Sequence, residues 1–288
     1  MRITNLMIQM NLTANLRQRE AAIAVASQQA ATGLRISTMS DDPVDATQIM
    51  RMQSQIDDMN QYKRNGTMAT TKLSTEDVAI SSLLDNLTSL SKLASSTISA
   101  DPNDPARQAS LTEAQQLKSQ IVALGNTQVG DQYIFGGDAD TTPPFAADGT
   151  YSGSSTAQQI QINNGISMAV NHTGQPLFTD AIAAVNNLIT QLQGGTPQQI
   201  GDAATQIDAA TQTAQATQSE VGSRLDDIQQ QATQLATQTS SMLDSRDSLM
   251  TVDSSTALVN LQSQQTALTQ AYTVVGKVLQ NSLADYLQ

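Results

Sequence analysis

Between Val221 and Leu249 the chain reads Val221, Leu225, Ile228, Ala232, Leu235, Thr239, Met242, Arg246, Leu249, and every step is four or three residues in strict alternation. That period lines all nine along one narrow stripe of a helix and suits no strand. Gly194-Gly195 closes the preceding element, and Thr196 and Gln199 have the spacing of a capping box around Pro197. The spacing therefore predicts one helix from Thr196 to Met250, roughly 80 Å long at 1.5 Å per residue. No small globule needs a rod of that length.

Both ends of the chain carry the same signature. Leu12, Leu16, Arg19, Ile23, Ala26, Ala30 and Gly33 form one seam, with Gly33-Leu34 as a helix end. After a break at 251–255, Leu258, Leu261, Gln265, Leu268, Tyr272, Val275 and Leu279 form another, ending near Leu283 and Leu287. Each is a thin stripe on a Gln- and Ser-rich helix, and isolated helices of this kind are marginal in water. The two terminal helices are expected to pair with each other and to become fully ordered only in an assembly.

Two further helix starts repeat the punctuation of a capping residue followed by Pro. Asp42-Pro43, with Asp45 in the first turn, opens a helix through Ile49, Met52, Ile56 and Met59, then Leu73, Ile80, Leu84, Leu87 and Ala94. Lys63, Gly66, Thr70 and Asp77 weaken its middle, where a bend or a change of partner is expected. Asp104-Pro105 opens a helix through Ala114, Leu117, Ile121 and Leu124.

The stretch 133–178 breaks this pattern. It holds Gly136-Gly137, Pro143-Pro144 and Asp148-Gly149, and two alternating runs, 159–162 and 166–170, flank Asn164-Gly165 as a two-residue hairpin signal. A mainly α architecture with a small inserted β module follows: the chain leaves through helices, makes a β excursion and returns. The expected domains are 1–40 with 253–288 as a terminal helical, coiled-coil domain, 41–132 with 179–252 as a helical bundle, and 133–178 as an outer β-rich module.

Composition removes several classes of function. The 288 residues include no Cys and one His, His172, so a Cys-ligated metal site and a disulfide framework are excluded and a zinc site has no ligand set. A net charge of −12 argues against nucleic acid as a partner. No apolar run reaches the roughly 20 residues of a membrane span. Residues 1–16 lack the continuous apolar core of a cleavable signal, so the chain either stays inside or leaves by a route that reads an uncleaved N-terminus.

No candidate site supports enzymatic chemistry. Asp41, Asp42 and Asp45 read as helix capping rather than a cation site, because Pro43 fixes the register. Asp138 and Asp140 resemble half a calcium loop but lack the closing Glu, and read as a turn. Asp226-Asp227 and Asp244 with Asp247 read as a solvated helix face. His172 has no nucleophile-like neighbour and reads as a surface hairpin residue. Tyr133-Ile134-Phe135-Gly136-Gly137 is either an aromatic binding patch or packing of the β module onto the helices.

Together these stretches resemble the flagellin superfamily. The residues that carry the resemblance are Gly33-Leu34-Arg35-Ile36, Ser40-Asp41-Asp42-Pro43-Val44-Asp45-Ala46, Tyr62-Lys63-Arg64-Asn65, Tyr133-Ile134-Phe135-Gly136-Gly137 with Pro144-Phe145, Val221-Gly222-Ser223-Arg224-Leu225 and Ser282-Leu283-Ala284-Asp285-Tyr286-Leu287, in the family's order. Pro-Val after the double Asp and the Tyr-Ile-Phe-Gly-Gly stretch favour a junction-type member over a filament subunit, which remains the alternative. A signalling coiled coil such as a chemoreceptor fragment has no place for the β insertion.

The resemblance implies an elongated stack: paired terminal helices, a long-helix bundle, and the β module outward. It implies a structural protein of the bacterial flagellum that joins hook to filament, secreted unfolded by the flagellar type III apparatus and needing no cofactor. Its neighbours would be hook-associated protein 1 on the hook side, flagellin on the filament side, and copies of itself in a ring or tube. A dedicated export chaperone would hold the C-terminal segment at Leu268, Tyr272, Val275 and Leu279. The assembly residues implied are Leu12, Leu16, Ile23, Leu258, Leu261, Leu268, Val275, Leu279 and Leu283. The family segment read by innate immune receptors carries an Arg and a Glu, and the corresponding Leu87–Ser99 stretch here has neither.

Overall fold

The computed structural model describes the backbone of residues 2–101 and 104–286, with side chains at 7, 10–101 and 104–277. Among them lie helices α1 (Arg2–Thr32), α2 (Pro43–Thr97), α3 (Pro105–Gly125), α4 (Leu177–Gly194), α5 (Pro197–Met250) and α6 (Ser254–Tyr286). Strands β1 (Gln128–Val129), β2 (Gln132–Tyr133), β3 (Gln159–Asn163) and β4 (Ile166–Ala169) fall between α3 and α4.

The three helix starts marked by Pro are where the sequence puts them, and the caps are formed. Oδ1 of Asp42 accepts from the backbone N–H of Val44 and of Asp45, both at 3.2 Å. Oδ1 of Asp104 accepts from Ala106 N–H at 2.8 Å. The Thr196 backbone N–H donates to Oε1 of Gln199 at 2.8 Å, while Gln199 N–H donates to Oγ1 of Thr196 at 3.3 Å, a reciprocal capping box. α2 runs unbroken for 55 residues through Lys63 and Gly66, and a Cβ at Gly66 would make only ordinary contact with Ile228 of α5, at 3.6 Å.

The chain divides into two compact units, Met1–Asp57 with Gln238–Gln288, and Asp58–Thr237. The second unit holds the large core. Leu73, Ile80, Leu83, Leu87 and Leu90 of α2 meet Ile121 of α3, Phe178, Val185, Leu188 and Leu192 of α4, and Ile200, Ile207 and Val221 of α5, all buried. The β segment joins the same cluster through Ile134, Phe135, Phe145 and Val170. Phe135 and Phe145 lie 4.6 and 5.8 Å from Phe178 between ring centroids, so every Phe of the chain sits in one contact.

Tyr133-Ile134-Phe135-Gly136-Gly137 is thus packing: Ile134 and Phe135 are buried. Gly137 has φ +71°, and a Cβ there would stand 2.6 Å from the Ser154 carbonyl oxygen. β3 and β4 pair antiparallel with an irregularity between Gln161 and Asn163, and Gly165 turns the hairpin at φ +71°.

Buried charges mark where sequence reading stopped. Arg107 is 1% exposed and donates to the carbonyls of Leu192 (2.8 Å), Gln191, Gly195 and Ala100 (3.0 Å). It caps the C-terminal end of α4, where the last carbonyls otherwise lack donors. His172 is not a surface hairpin residue. Its ring is half-buried against Glu76 of α2, which is fully buried, with Nδ1 at 2.6 Å from Oε1. The turn after β4 is drawn onto the helix because the Glu76 carboxylate needs donors and finds both the ring and the His172 backbone N–H, the latter at 3.1 Å.

Candidate assembly surface

In the first unit α1 and α6 run antiparallel, with Glu20 opposite Tyr272 and Leu34 bridged to Thr251. α1 ends because Gly33 adopts φ +70°, a conformation that a β-carbon disfavours. The next residues lie against the chain leaving α5. Arg35 N–H donates to the Met250 carbonyl at 2.7 Å, and Val252 N–H to that of Gly33 at 2.9 Å. The Arg35 guanidinium adds a bond to the Leu249 carbonyl at 3.0 Å and ion pairs to Asp42 and Asp45.

This clip occupies the acidic residues near Pro43. The Asp45 partnership and the Asp42 contact hold the Arg35 proton more firmly than usual. The Ser37 and Thr38 backbone N–H groups lower the pKa of Asp41, and those of Asp45 and Val44, with Arg35, lower that of Asp42. The Asp-Asp-Pro run therefore closes a turn and caps a helix. Among the described residues no group of three or more His, Asp or Glu is arranged to hold a metal.

The α1·α6 seam is thin. Leu12, Leu16 and Ile23 are half-buried on α1, and Leu261, Leu268 and Val275 are half-buried on α6. Only Ala26 and Ala257, at 3% each, are fully buried among the described residues of the two helices. Leu258 stands outside the seam, 58% exposed, and Tyr272 is half exposed. The α6 face instead follows Ala257, Leu261, Gln264, Leu268, Ala271 and Val275. It keeps the four-three rhythm and the positions Leu261, Leu268 and Val275, but has Ala257, Gln264 and Ala271 in place of Leu258, Gln265 and Tyr272. Tyr272 still reaches α1 at its tip, donating its O–H to Oε1 of Glu20 at 2.8 Å, and that bond raises its pKa. The side chains of Leu279 and Leu283 lie outside the described residues.

Along one side of the pair runs a groove of about 660 Å³ in which Leu12, Leu16, Ala22, Ala267, Ala271, Val274 and Val275 alternate with the polar Asn15, Gln18, Arg19, Gln264 and Gln270. Met7, Met10, Val25, Leu258, Val259 and Val274 are each at least half exposed. Two helices with one thin shared stripe and these exposed apolar side chains can bind further helices. Among the described residues no helix is long and apolar enough to cross a membrane.

Comparison with known proteins gives consistent matches. Residues 3–140 fit the model of the bacterial flagellin N-terminal helical region. Flagellar hook-associated protein 3 of Escherichia coli (strain K12) is 29% identical over 177 residues, which cover 61% of this chain and 56% of that protein. The Salmonella typhimurium protein of the same name is 27% identical with the same coverage. The matched region thus spans little more than half the length of these curated relatives. Among solved structures, a putative flagellar hook-associated protein from Vibrio parahaemolyticus superposes with a TM-score of 0.67 at 17% identity, covering 73% of this chain and 100% of that one. Bacillus cereus FlgL superposes at 0.61 with 23% identity, over 68% and 99%. At these identities the superpositions establish the fold.

Proposed function

We propose that this chain is a member of the flagellin superfamily, whose N-terminal helical region residues 3–140 match, and a structural protein of the bacterial flagellum that joins the hook to the flagellin filament. The observation that carries the reading is the α1·α6 pair, two long helices with a thin shared seam and an open groove beside it. In a ring or tube, copies of the chain bury the faces that one copy leaves exposed. Each Leu or Ile so covered contributes roughly 1.5–3 kcal/mol, and several per subunit offset the entropy of ordering the two helices.

On this reading hook-associated protein 1 lies on the hook side and flagellin on the filament side. A short layer of a third protein matches two tubes of different stiffness. The chain travels unfolded through the flagellar type III apparatus, and a chaperone covers the α6 segment at Leu268, Tyr272, Val275 and Leu279 beforehand. Exposed Leu258, Val259 and Val274 give the chaperone its physical purpose, because an uncovered apolar helix invites aggregation. The division into a terminal coiled-coil domain, a helical bundle and an outer β module belongs to the same reading.

Since the matched N-terminal region is named for flagellin, a filament subunit is the second reading. Polymerisation separates the two. The purified chain is expected to stay short or monomeric by itself and to bind the distal end of hook-associated protein 1 assemblies. Long filaments grown from the chain alone support the second reading instead.

A further inference from the structure

The chain's single imidazole is held between carboxylates from two long helices. His172 follows β4 with its side chain 16% exposed. Nδ1 lies 2.6 Å from Oε1 of Glu76 on α2, and Nε2 lies 3.4 Å from Oε2 of Glu220 on α5. The Glu76 side chain is 0% exposed and that of Glu220 is 56% exposed. Oε2 of Glu76 and Nε2 of His172 are buried with no hydrogen-bond partner among the described residues.

Other charges face the site from each neighbouring element. On α2, Lys72 is buried one turn before Glu76, donates to Oε1 of Gln158, and has its pKa lowered by burial against the opposing pull of Asp140. Asp77 is engaged by Nε2 of Gln218 at 3.1 Å. On α5, Arg224 donates to Oε1 of Glu220 and, weakly, to the carbonyls of Ala169 (3.4 Å) and Asn171 (3.5 Å). Burial pushes the Glu220 carboxyl up, but Arg224 and His172 together outweigh it and leave it lowered.

A neutral imidazole has one N–H and one lone pair, whereas an imidazolium has two N–H groups. With the proton on Nδ1, the neutral ring serves Glu76 and turns a lone pair toward the Glu220 carboxylate, a repulsive contact. The doubly protonated ring serves both. We propose that His172 is a proton-operated fastener: as the imidazolium it ties the turn after β4 to both α2 and α5, and loss of the Nε2 proton releases the α5 side only. The asymmetry follows from burial. Glu76 has no solvent and keeps Nδ1–H and the backbone N–H, while Glu220 has water and Arg224 as alternatives. The fastener is independent of the flagellar reading.

The test is NMR on the ¹⁵N-labelled full chain, following the His172 ring nitrogens and the Arg224 guanidinium from about pH 5.5 to 8.5. Both ring nitrogens are expected to carry protons at the acid end. Nε2 then loses its proton while Nδ1 keeps its own, and the Arg224 signals move along the same curve. In Glu220→Gln, whose side chain is mostly exposed, the ring still titrates but the Arg224 response is lost. In His172→Gln the Arg224 signals stay flat over this range. Arg224 signals that ignore the ring's titration in the wild type, that still shift in His172→Gln, or a ring that gives up the Nδ1 proton first, each overturn the proposal.

Discussion

Arg35 and Leu249 stand 214 residues apart in sequence, and the guanidinium of the first donates to the carbonyl of the second at 3.0 Å. The same guanidinium is paired with Asp42 and Asp45 at the start of α2. One side chain thus clips the chain leaving α1 to the chain entering α6 and sets where the two terminal helices begin to pair. Arg35→Ala is expected to lower amide protection in α1 and α6 while leaving Asp58–Thr237 unchanged. Arg35→Lys recovers only part of it, because one ammonium cannot span three acceptors in a fork. Hydrogen exchange read by mass spectrometry distinguishes the two units; equal loss in both contradicts the clip.

The α5 capping box gives a local test. Removing the hydroxyl in Thr196→Ala leaves the Gln199 N–H without its acceptor and is expected to cost about 1 kcal/mol. Urea unfolding followed by circular dichroism measures it, and an unchanged midpoint argues that the box adds nothing.

Arg107 is a stronger case, because its four carbonyl partners lie inside the second unit. Arg107→Leu keeps the bulk but strands those oxygens, and is expected to destabilise by about 3 kcal/mol or more. A variant that unfolds within 1 kcal/mol of the wild type, a threshold of about fivefold in the folding equilibrium, places the capping of α4 elsewhere.

Acid should act first on the turns that flank the terminal helices. Asp41, Asp42 and Asp253 are lowered chiefly by backbone N–H groups, of Ser37, Asp45 and Thr256 respectively. A carboxylate with a depressed folded-state pKa stabilises above its unfolded value, about 3.9, and loses that contribution as pH falls through the folded value. The terminal helices are therefore expected to hold from neutrality down to about pH 4 and to loosen below it. Asp42→Asn and Asp253→Asn should flatten the dependence. Helix content in α6 that is indifferent to pH 3 contradicts this.

The seam makes a further prediction for assembly. Leu268 is half-buried on the α6 face that meets α1, so Leu268→Asp should leave the core of the second unit folded and stop incorporation into the flagellum. Leu279→Asp is expected to do the same on sequence grounds. Normal incorporation of both variants argues against packing through these helices. For the chaperone, a chain truncated after Ser255 should fail to be retained in a pull-down.

Much of this fold is written locally. Asp104, Thr196 and Asn164-Gly165 announce their own caps and turns, since the partners lie within three residues. The nine seam positions from Val221 to Leu249 are all buried or half-buried, because a heptad on a long helix leaves one face to bury. What stayed hidden depends on distant partners. Nothing near His172 in sequence points to Glu76, 96 residues earlier, and nothing near Arg107 points to the end of α4. The α6 stripe is legible in period and in half of its positions: Leu261, Leu268 and Val275 are half-buried where the spacing puts them, while Ala257, Gln264 and Ala271 take the places of Leu258, Gln265 and Tyr272. That choice belongs to the partner helix and not to the residue itself.

The most direct measurement of the whole account is made in the bacterium. A strain deleted for this chain is expected to build hooks that end bare and to release flagellin into the medium, with filaments restored by the wild-type chain but not by Leu268→Asp. Filaments of normal length attached to hooks in the deletion strain would contradict it.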